Sequence, residues 1–210
     1  MTAAERREVI EIAASEVFSE HGYHGASIDA IARRSGVSAP VVYDHFRSKR
    51  ELHRSLLERH FGALRALWRE QLGGDEPAGV RVARAIDAWF GYVQQHPYAW
   101  RMLFRDPTGD PAIEAIHREV AAASRAAALP LLAPERSAQA IAGAGDPVAM
   151  DMLWEVFRAS LQGLALWWYD HQEVPRERVV AMAMNALWIG LERAGAGELW
   201  PTSAPAPAGP

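Results

Sequence analysis

Between Gly25 and His53 the chain reads GASIDAIARRSGVSAPVVYDHFRSKRELH, and this stretch restricts the possible folds more than any other. Two short helical patterns lie either side of Ser35-Gly36-Val37: Ile28 to Arg34, preceded by Ser27, and Ala39 to Phe46, preceded by Ser38. A serine in front of a helix accepts a hydrogen bond from a backbone N–H that has no partner within the helix, so both serines are expected as N-caps. Gly36 falls where the chain must reverse, and glycine enters the left-handed region without a Cβ clash. Two short helices about a glycine turn form a helix-turn-helix, a shape whose second helix fits the major groove of duplex DNA.

Within that second helix Val42 and Phe46 stand four apart and share a face. If they point inward, Ala39, Pro40, Tyr43 and Asp44 point outward, with Val41 at the boundary. Pro40 is tolerated in a first turn, where its missing N–H costs no intrahelical bond. Small apolar groups can contact a thymine methyl, and a carboxylate can accept from cytosine N4, but this helix holds no arginine for a bidentate guanine contact. Apolar and shape readout is therefore expected from it. The whole chain carries a net charge of −4, which argues weakly against nucleic acid. Locally the balance reverses: residues 24 to 54 hold five Arg and one Lys against Asp29, Asp44 and Glu51, a net +3. Basic charge gathers where a DNA surface needs it, although so modest a patch only permits what the motif argues.

The rest of the chain reads as helices. Thr2 and Glu5 have capping-box spacing, followed by Ile10, Ala13, Ala14, Val17 and Phe18 at helical intervals up to His21-Gly22. A three-helix unit packed on Val17, Phe18, Ile31, Val37, Val42 and Phe46 is expected. From Lys49 an apolar rhythm runs through Leu52, Leu56, Leu57, Phe61, Leu64 and Trp68 to Leu72, then stops at Gly73-Gly74. Further helices are expected from about Val80 to His96, over Tyr98 to Phe104, and from Ala112 to about Leu129. Pro130 to Asp146 reads as irregular, with one short helix near Ser137 to Ala142. Met150, Leu153, Phe157, Leu161, Leu164 and Trp168 form a near-heptad stripe, and Pro175 opens a last helix through Val179, Ala183 and Leu187. The fold class is all-α: a helix-turn-helix domain over 1–50, a connecting helix over 51–72, a larger helical domain over 73–200, and a Pro/Ala tail over 201–210 with nothing to pack.

Several function classes fall away. The chain has no cysteine, hence no disulfide, thiolate metal site or cysteine nucleophile. The N-terminus lacks a signal peptide's apolar core, and no run of about eighteen apolar residues offers a membrane span, so a cytoplasmic protein with no membrane partner is expected. His53 and His60 stand seven apart, but no HExxH, GxSxG, phosphate loop or dinucleotide fingerprint accompanies them. The best acid–base group, His117 with Glu114 and Glu119, reads as a solvated helix face before it reads as a catalytic cluster. No enzyme, metal or cofactor is expected.

The segment closely resembles the DNA-binding region of the TetR family of transcriptional regulators. Gly22-Tyr23, Gly25, Ser27, Ile28, Ile31-Ala32, Gly36-Val37-Ser38, Val42-Tyr43, His45-Phe46, Ser48-Lys49 and Glu51-Leu52 carry the likeness, over the first quarter of the chain. It implies a homodimeric regulator of double-stranded DNA, most often a repressor released from a palindromic operator by a small-molecule effector. It implies phosphate contacts from Tyr43, His45 and Lys49, to which Ser27 and Ser38 at helix N-termini add. With the outward residues above, the expected DNA contacts are Ser27, Ser38, Ala39, Pro40, Val41, Tyr43, Asp44, His45 and Lys49. Asp29 and Asp44 depart from the pattern, since both place acids near phosphates. The effector site falls in the second part, where Trp89, Tyr92, His96, Trp100, Phe104, His117, Trp154 and Arg158 are the candidates. Aromatic walls suit a hydrophobic or aromatic ligand. Taken singly, each of these residues reads as core before it reads as pocket lining; the set as a whole is what suggests a site. The last two helices are expected to form a four-helix dimer interface through Phe157, Leu161, Leu164, Trp168, Ala183, Ala186, Leu187 and Gly190. Trp167 and Trp168 cannot both be buried on one side of a helix, which favours a dimer. The competing reading is a nonspecific architectural DNA binder, which lives on charge that this surface has little of.

Overall fold

Thr2 and Glu5 satisfy each other's backbone at the start of the first helix: Thr2 N–H donates to Glu5 Oε2 at 2.7 Å, and Glu5 N–H to Thr2 Oγ1 at 3.2 Å. The computed structural model describes residues 1–104, 111–132 and 147–190, together with Arg193. The order is α1 (Ala3–Gly25), α2 (Ile28–Ser35), α3 (Ala39–His45), α4 (Lys49–Leu72), α5 (Ala78–Gln95), α6 (Pro97–Phe104), α7 (Pro111–Leu132), α8 (Pro147–Tyr169) and α9 (Arg176–Ala183), which runs into a π-helical turn (Met184–Trp188). Every regular element among the described residues is helical. The short helix expected near 137–142 and the tail over 201–210 lie outside them.

The local signals act as expected at most boundaries. Gly22 breaks α1 with φ 66°, so the turn after it is a separate piece of helix. Ser27 accepts from Ala30 N–H at 3.1 Å, and Ser48 from Glu51 N–H at 3.1 Å. Gly36 adopts φ 70°, ψ 21° and closes α2 with its N–H on the Ala32 and Arg33 carbonyls. Ser38 is the exception: its side chain makes no cap hydrogen bond. The far end of α4 is capped from α5, where Arg81 donates to the Leu72 carbonyl at 2.9 Å and Arg84 to the Gln71 carbonyl at 2.8 Å.

Two apolar cores result. The first contains Val17, Phe18, Ile31, Val42 and Phe46, as expected, with Val37 packed against it. It also takes in Leu52, Leu56, Leu57 and Phe61 of α4, and Ile113 and Ile116 of α7. Packing therefore continues across the expected division near residue 50. The second core joins Leu64 and Leu72 to Val82, Ile86, Trp89, Phe90 and Val93 of α5, Trp100 of α6, Phe157, Leu161, Ala165 and Trp168 of α8, and Val179 and Ala183 of α9. Arg176 reaches Asp87 at 2.9 Å and fastens α9 to α5. The π-turn was not foreseen. It brings Trp188 onto α5 at Gly79, where a Cβ would lie 2.9 Å from Trp188 Nε1, so glycine is needed there for space rather than for a turn.

Candidate nucleic-acid interface

α3 is oriented by its buried face. Val42 and Phe46 have 0% and 1% of their surface exposed, and burying one such side chain stabilises by roughly 1.5–3 kcal/mol. The opposite face is thereby presented to solvent. Ser38, Pro40, Tyr43 and Asp44 are exposed, and Ala39, Val41 and His45 are half-buried at its edges. Tyr43 stands out most, 53% exposed. Ser27 uses its oxygen lone pair for capping, which leaves its O–H as a donor. Ser38, uncapped and exposed, offers its hydroxyl as well. Among the described residues Asp44 has no ion-pair or hydrogen-bond partner; Arg47, the cation nearest in sequence, has its backbone N–H held by Glu51 at 2.8 Å.

The local positive charge is smaller in practice than in sequence. Arg34 is turned back onto α1, with 2.8 Å contacts to Glu16 and Glu20. Arg54 pairs with Glu58 at 2.8 Å and Glu119 at 3.1 Å. Lys49 also points inward. Its Nζ donates to the Tyr23 carbonyl at 2.7 Å and the Ala26 carbonyl at 2.9 Å, and lies 4.5 Å from the centre of the Tyr23 ring. Burial lowers its pKa. Lys49 thus ties the end of α1 to the start of α4, and only part of its charge reaches the surface. Arg33 and Arg47 are exposed and complete the basic rim. No motif singled them out, although their charge alone could have done so.

The expected effector-site residues do not form one group. Trp89 and Trp100 meet edge to face at 4.9 Å, both buried in the second core. Tyr92 and His96 stack at 4.1 Å, and His60 of α4 joins them, its Nδ1 2.6 Å from the Tyr92 hydroxyl. His96 Nδ1 lies 2.9 Å from the Tyr92 carbonyl, which can only accept, so that nitrogen carries the proton. Burial pushes Tyr92 up to about 12 and His60 down to about 4, with His96 and Arg59 adding to the fall in His60. Sequence reading missed His60 because the partners that define it lie 32 and 36 residues away. Trp154 packs instead against Trp68 at 6.3 Å. His117 faces His53, their ring centres 5.8 Å apart, beside the first core. Arg158 binds Glu155 and Gln162 along its own helix. The Phe104 side chain lies outside what is described.

The residues expected at a dimer interface divide by their burial in the protomer. Phe157, Leu161, Trp168 and Ala183 are 7%, 2%, 1% and 3% exposed within a single protomer. A side chain already sealed in its own core has no surface left for a partner. Leu164 and Leu187 are half-buried against that core, while Ala186 and Gly190 are exposed. The open apolar side chains lie one position away: Met152, Val156 and Trp167 on α8, and Met182 and Ile189 at the end, from 42% to 59% exposed. Trp167 and Trp168 do point apart, as their adjacency requires.

Among the described residues no helix is long and apolar enough to cross a membrane, and no three His, Asp or Glu side chains gather to hold a metal ion. A short helix held by its apolar face, with a polar face presented after a glycine turn, on an all-helical body, defines a helix-turn-helix DNA-binding regulator. Residues 12–56 match the profile of bacterial regulatory proteins of the tetR family, and residues 78–190 that of the tetracyclin repressor-like C-terminal domain. The chain belongs to the TetR family, which consists of transcription regulators rather than enzymes. It is 30% identical over 188 residues to the HTH-type transcriptional activator FasR of Mycolicibacterium smegmatis, covering 89% of this chain and 83% of FasR. Its fold is similar to that of the fatty acid degradation regulator FadR from Bacillus halodurans (TM-score 0.71, 18% identity, 89% of this chain and 94% of that one). It is also similar to FadR from Bacillus subtilis, solved in complex with stearoyl-CoA (TM-score 0.65, 19% identity, 90% and 98%).

Proposed function

We propose that the chain acts as a homodimer in the cytoplasm, places α3 of each protomer in successive major grooves about 34–36 Å apart, and reads an inverted repeat. The observation that carries this is the face of α3: Val42 and Phe46 are buried, and Pro40, Tyr43 and Asp44 project away from them. Ala39, Pro40 and Val41 contact base edges. Ser27, Ser38, Tyr43 and His45 meet phosphates, with Arg33 and Arg47 supplying charge. Asp44 either accepts from a cytosine or lies off the interface. Lys49 acts chiefly by holding α1 against α4.

The partner protomer covers Met152, Val156, Gly163 and Trp167 on α8 and Met182, Ala186, Ile189 and Gly190 on the last helix. An apolar stripe this long on a monomer's surface is a recognised mark of association. The larger domain takes a small hydrophobic or aromatic effector, with Tyr92, His96 and His60 offering polar contacts inside an aromatic surround. Effector binding releases the operator, and the protein represses. FasR's name as an activator supports a second reading, in which the bound dimer raises transcription; direction then depends on where the operator lies relative to the promoter.

Selection of duplex DNA from a random pool, followed by titration of the enriched sequence at two salt concentrations, tests the proposal. An enriched inverted repeat is expected. No enrichment, with weak and steeply salt-dependent binding, would make the protein a nonspecific architectural binder instead.

A further inference from the structure

Behind the recognition helix lies a charged network that the DNA-facing residues leave unused. At its centre is Glu11 of α1, only 7% exposed. A buried carboxylate is tolerated when it is paired and hydrogen-bonded. Its Oε1 accepts from Arg7 Nε at 3.1 Å and from Ser55 Oγ at 3.3 Å, and its Oε2 accepts from an Arg59 Nη at 2.6 Å. Arg7 carries the network further. One of its Nη atoms donates to Ser55 Oγ at 3.0 Å and the other to the His45 carbonyl at 3.4 Å. Its guanidinium carbon sits 4.3 Å from the centre of the Phe46 ring. His45 is the last residue of α3, and Phe46 is its C-cap. Ser55 and Arg59 belong to α4. One guanidinium therefore touches its own helix, the end of α3 and the second turn of α4.

α3 has only seven residues. So short a helix draws its stability and direction from what packs against it. Arg7 meets it at the end where the carbonyls lack intrahelical partners and where a cation is favoured. We propose that Arg7 is a positioning residue for the recognition helix, setting the angle of α3 through the His45 carbonyl and the Phe46 ring, and that Glu11 relays to it any displacement of α4 at Ser55 and Arg59. The idea rests on α3 being the helix that reads DNA.

Lysine separates this role from a plain supply of charge. It keeps the positive charge at position 7 but cannot bond Glu11, Ser55 and the His45 carbonyl together, because it lacks the planar fork. The experiment uses the full chain as wild type, Arg7→Lys and Arg59→Lys. Amide hydrogen exchange is followed without DNA, and affinity is compared for the selected duplex and a scrambled one. In Arg7→Lys, exchange over Ala39 to Phe46 should speed up about tenfold, the scale of one charged hydrogen bond lost. Amides of α5 should keep their protection, which serves as the check on folding. The selected-to-scrambled affinity ratio should fall by a similar factor with the salt slope unchanged. Arg59→Lys should produce the same pattern in smaller measure. Wild-type exchange and selectivity in Arg7→Lys would overturn the proposal. So would uniformly weaker binding to both duplexes with a shallower salt slope and unaltered exchange, which would make Arg7 a phosphate contact. If the wild type itself selects no sequence, the DNA-reading role of α3 fails, while the exchange result still decides whether Arg7 holds it.

Discussion

Lys49 and Arg47 stand two residues apart and have opposite surroundings. Lys49 Nζ is spent on two carbonyls, whereas the Arg47 guanidinium faces water. Lys49→Ala is expected to destabilise by about 1–3 kcal/mol, the range for losing a charged hydrogen bond that leaves its acceptors unmet. Arg47→Ala should leave the melting temperature unchanged and reduce the salt slope of DNA binding by about one. Thermal melts and salt titrations on the same pair of variants check both, and the reverse outcome would exchange their roles. The direction of the Lys49 side chain was not legible in the sequence. Its acceptors lie 26 and 23 residues away, beyond the reach of any local pattern. Most of the outward face of α3, in contrast, was legible from Val42 and Phe46, because four-residue spacing in one short helix fixes the buried side and its opposite; Ala39, expected outward, packs partly against the first core. Ser38 shows the limit of a local rule: a serine stands in the cap position, yet its side chain forms no cap hydrogen bond.

Among the elements, α4 holds most of the unusual chemistry. His53 and His60, both buried, lie seven apart on one side of it. His53 packs edge-on to Phe18 and Tyr23, faces His117 of α7 and lies near Lys49. His60 faces Tyr92 and His96, with Arg59 close by. Burial first, and then the charges of His117 and Lys49, push His53 to about 3; burial first, and then those of His96 and Arg59, push His60 to about 4. An unfolded imidazole titrates near about 6.5. Between those values the unfolded chain binds more protons than the folded one, so stability is complete above about pH 6.5 and falls as the pH drops below it. Melting temperature should therefore decline steadily from pH 7 to pH 5. His53→Leu should flatten part of that decline because it removes one of the two titrating groups, and Nδ1 of His53 has no hydrogen bond to lose. A wild-type profile that stays level over this range would rule out buried neutral histidines.

The bounds of α4 could be read in advance from the apolar rhythm that begins at Lys49 and from Gly73-Gly74 at the other end. α8 was harder. Its stripe through Phe157, Leu161 and Trp168 is a true apolar face, but it is the face turned to its own protomer. Met152, Val156 and Trp167 make a second one. Periodicity finds apolar faces and does not say which of two is already covered. For the same reason, the aromatic content of the larger domain did not distinguish Trp89 and Trp100, which are core, from Tyr92 and His96, which carry polar atoms inward.

At the scale of the whole molecule, the two faces of α8 give opposite predictions for adjacent substitutions. Val156→Glu adds a charge to an exposed position and should yield a folded monomer, seen as halved mass by light scattering with an unchanged helical spectrum. Phe157→Glu places the charge in the second core and should abolish the fold. A folded Val156→Glu dimer would place the interface elsewhere.

The first core has a consequence for modularity. Ile113 and Ile116, from the start of α7, are packed among side chains of α1 to α4 and are 0% and 6% exposed. A fragment ending at Leu72 would keep the helix-turn-helix but lose those two plugs, opening a greasy notch where α7 had been. The reading head is therefore not a cassette that can be cut out and spliced onto another body. Any recombinant chimaera that keeps it has to import the first turns of α7, or two isoleucine equivalents, as part of the same graft.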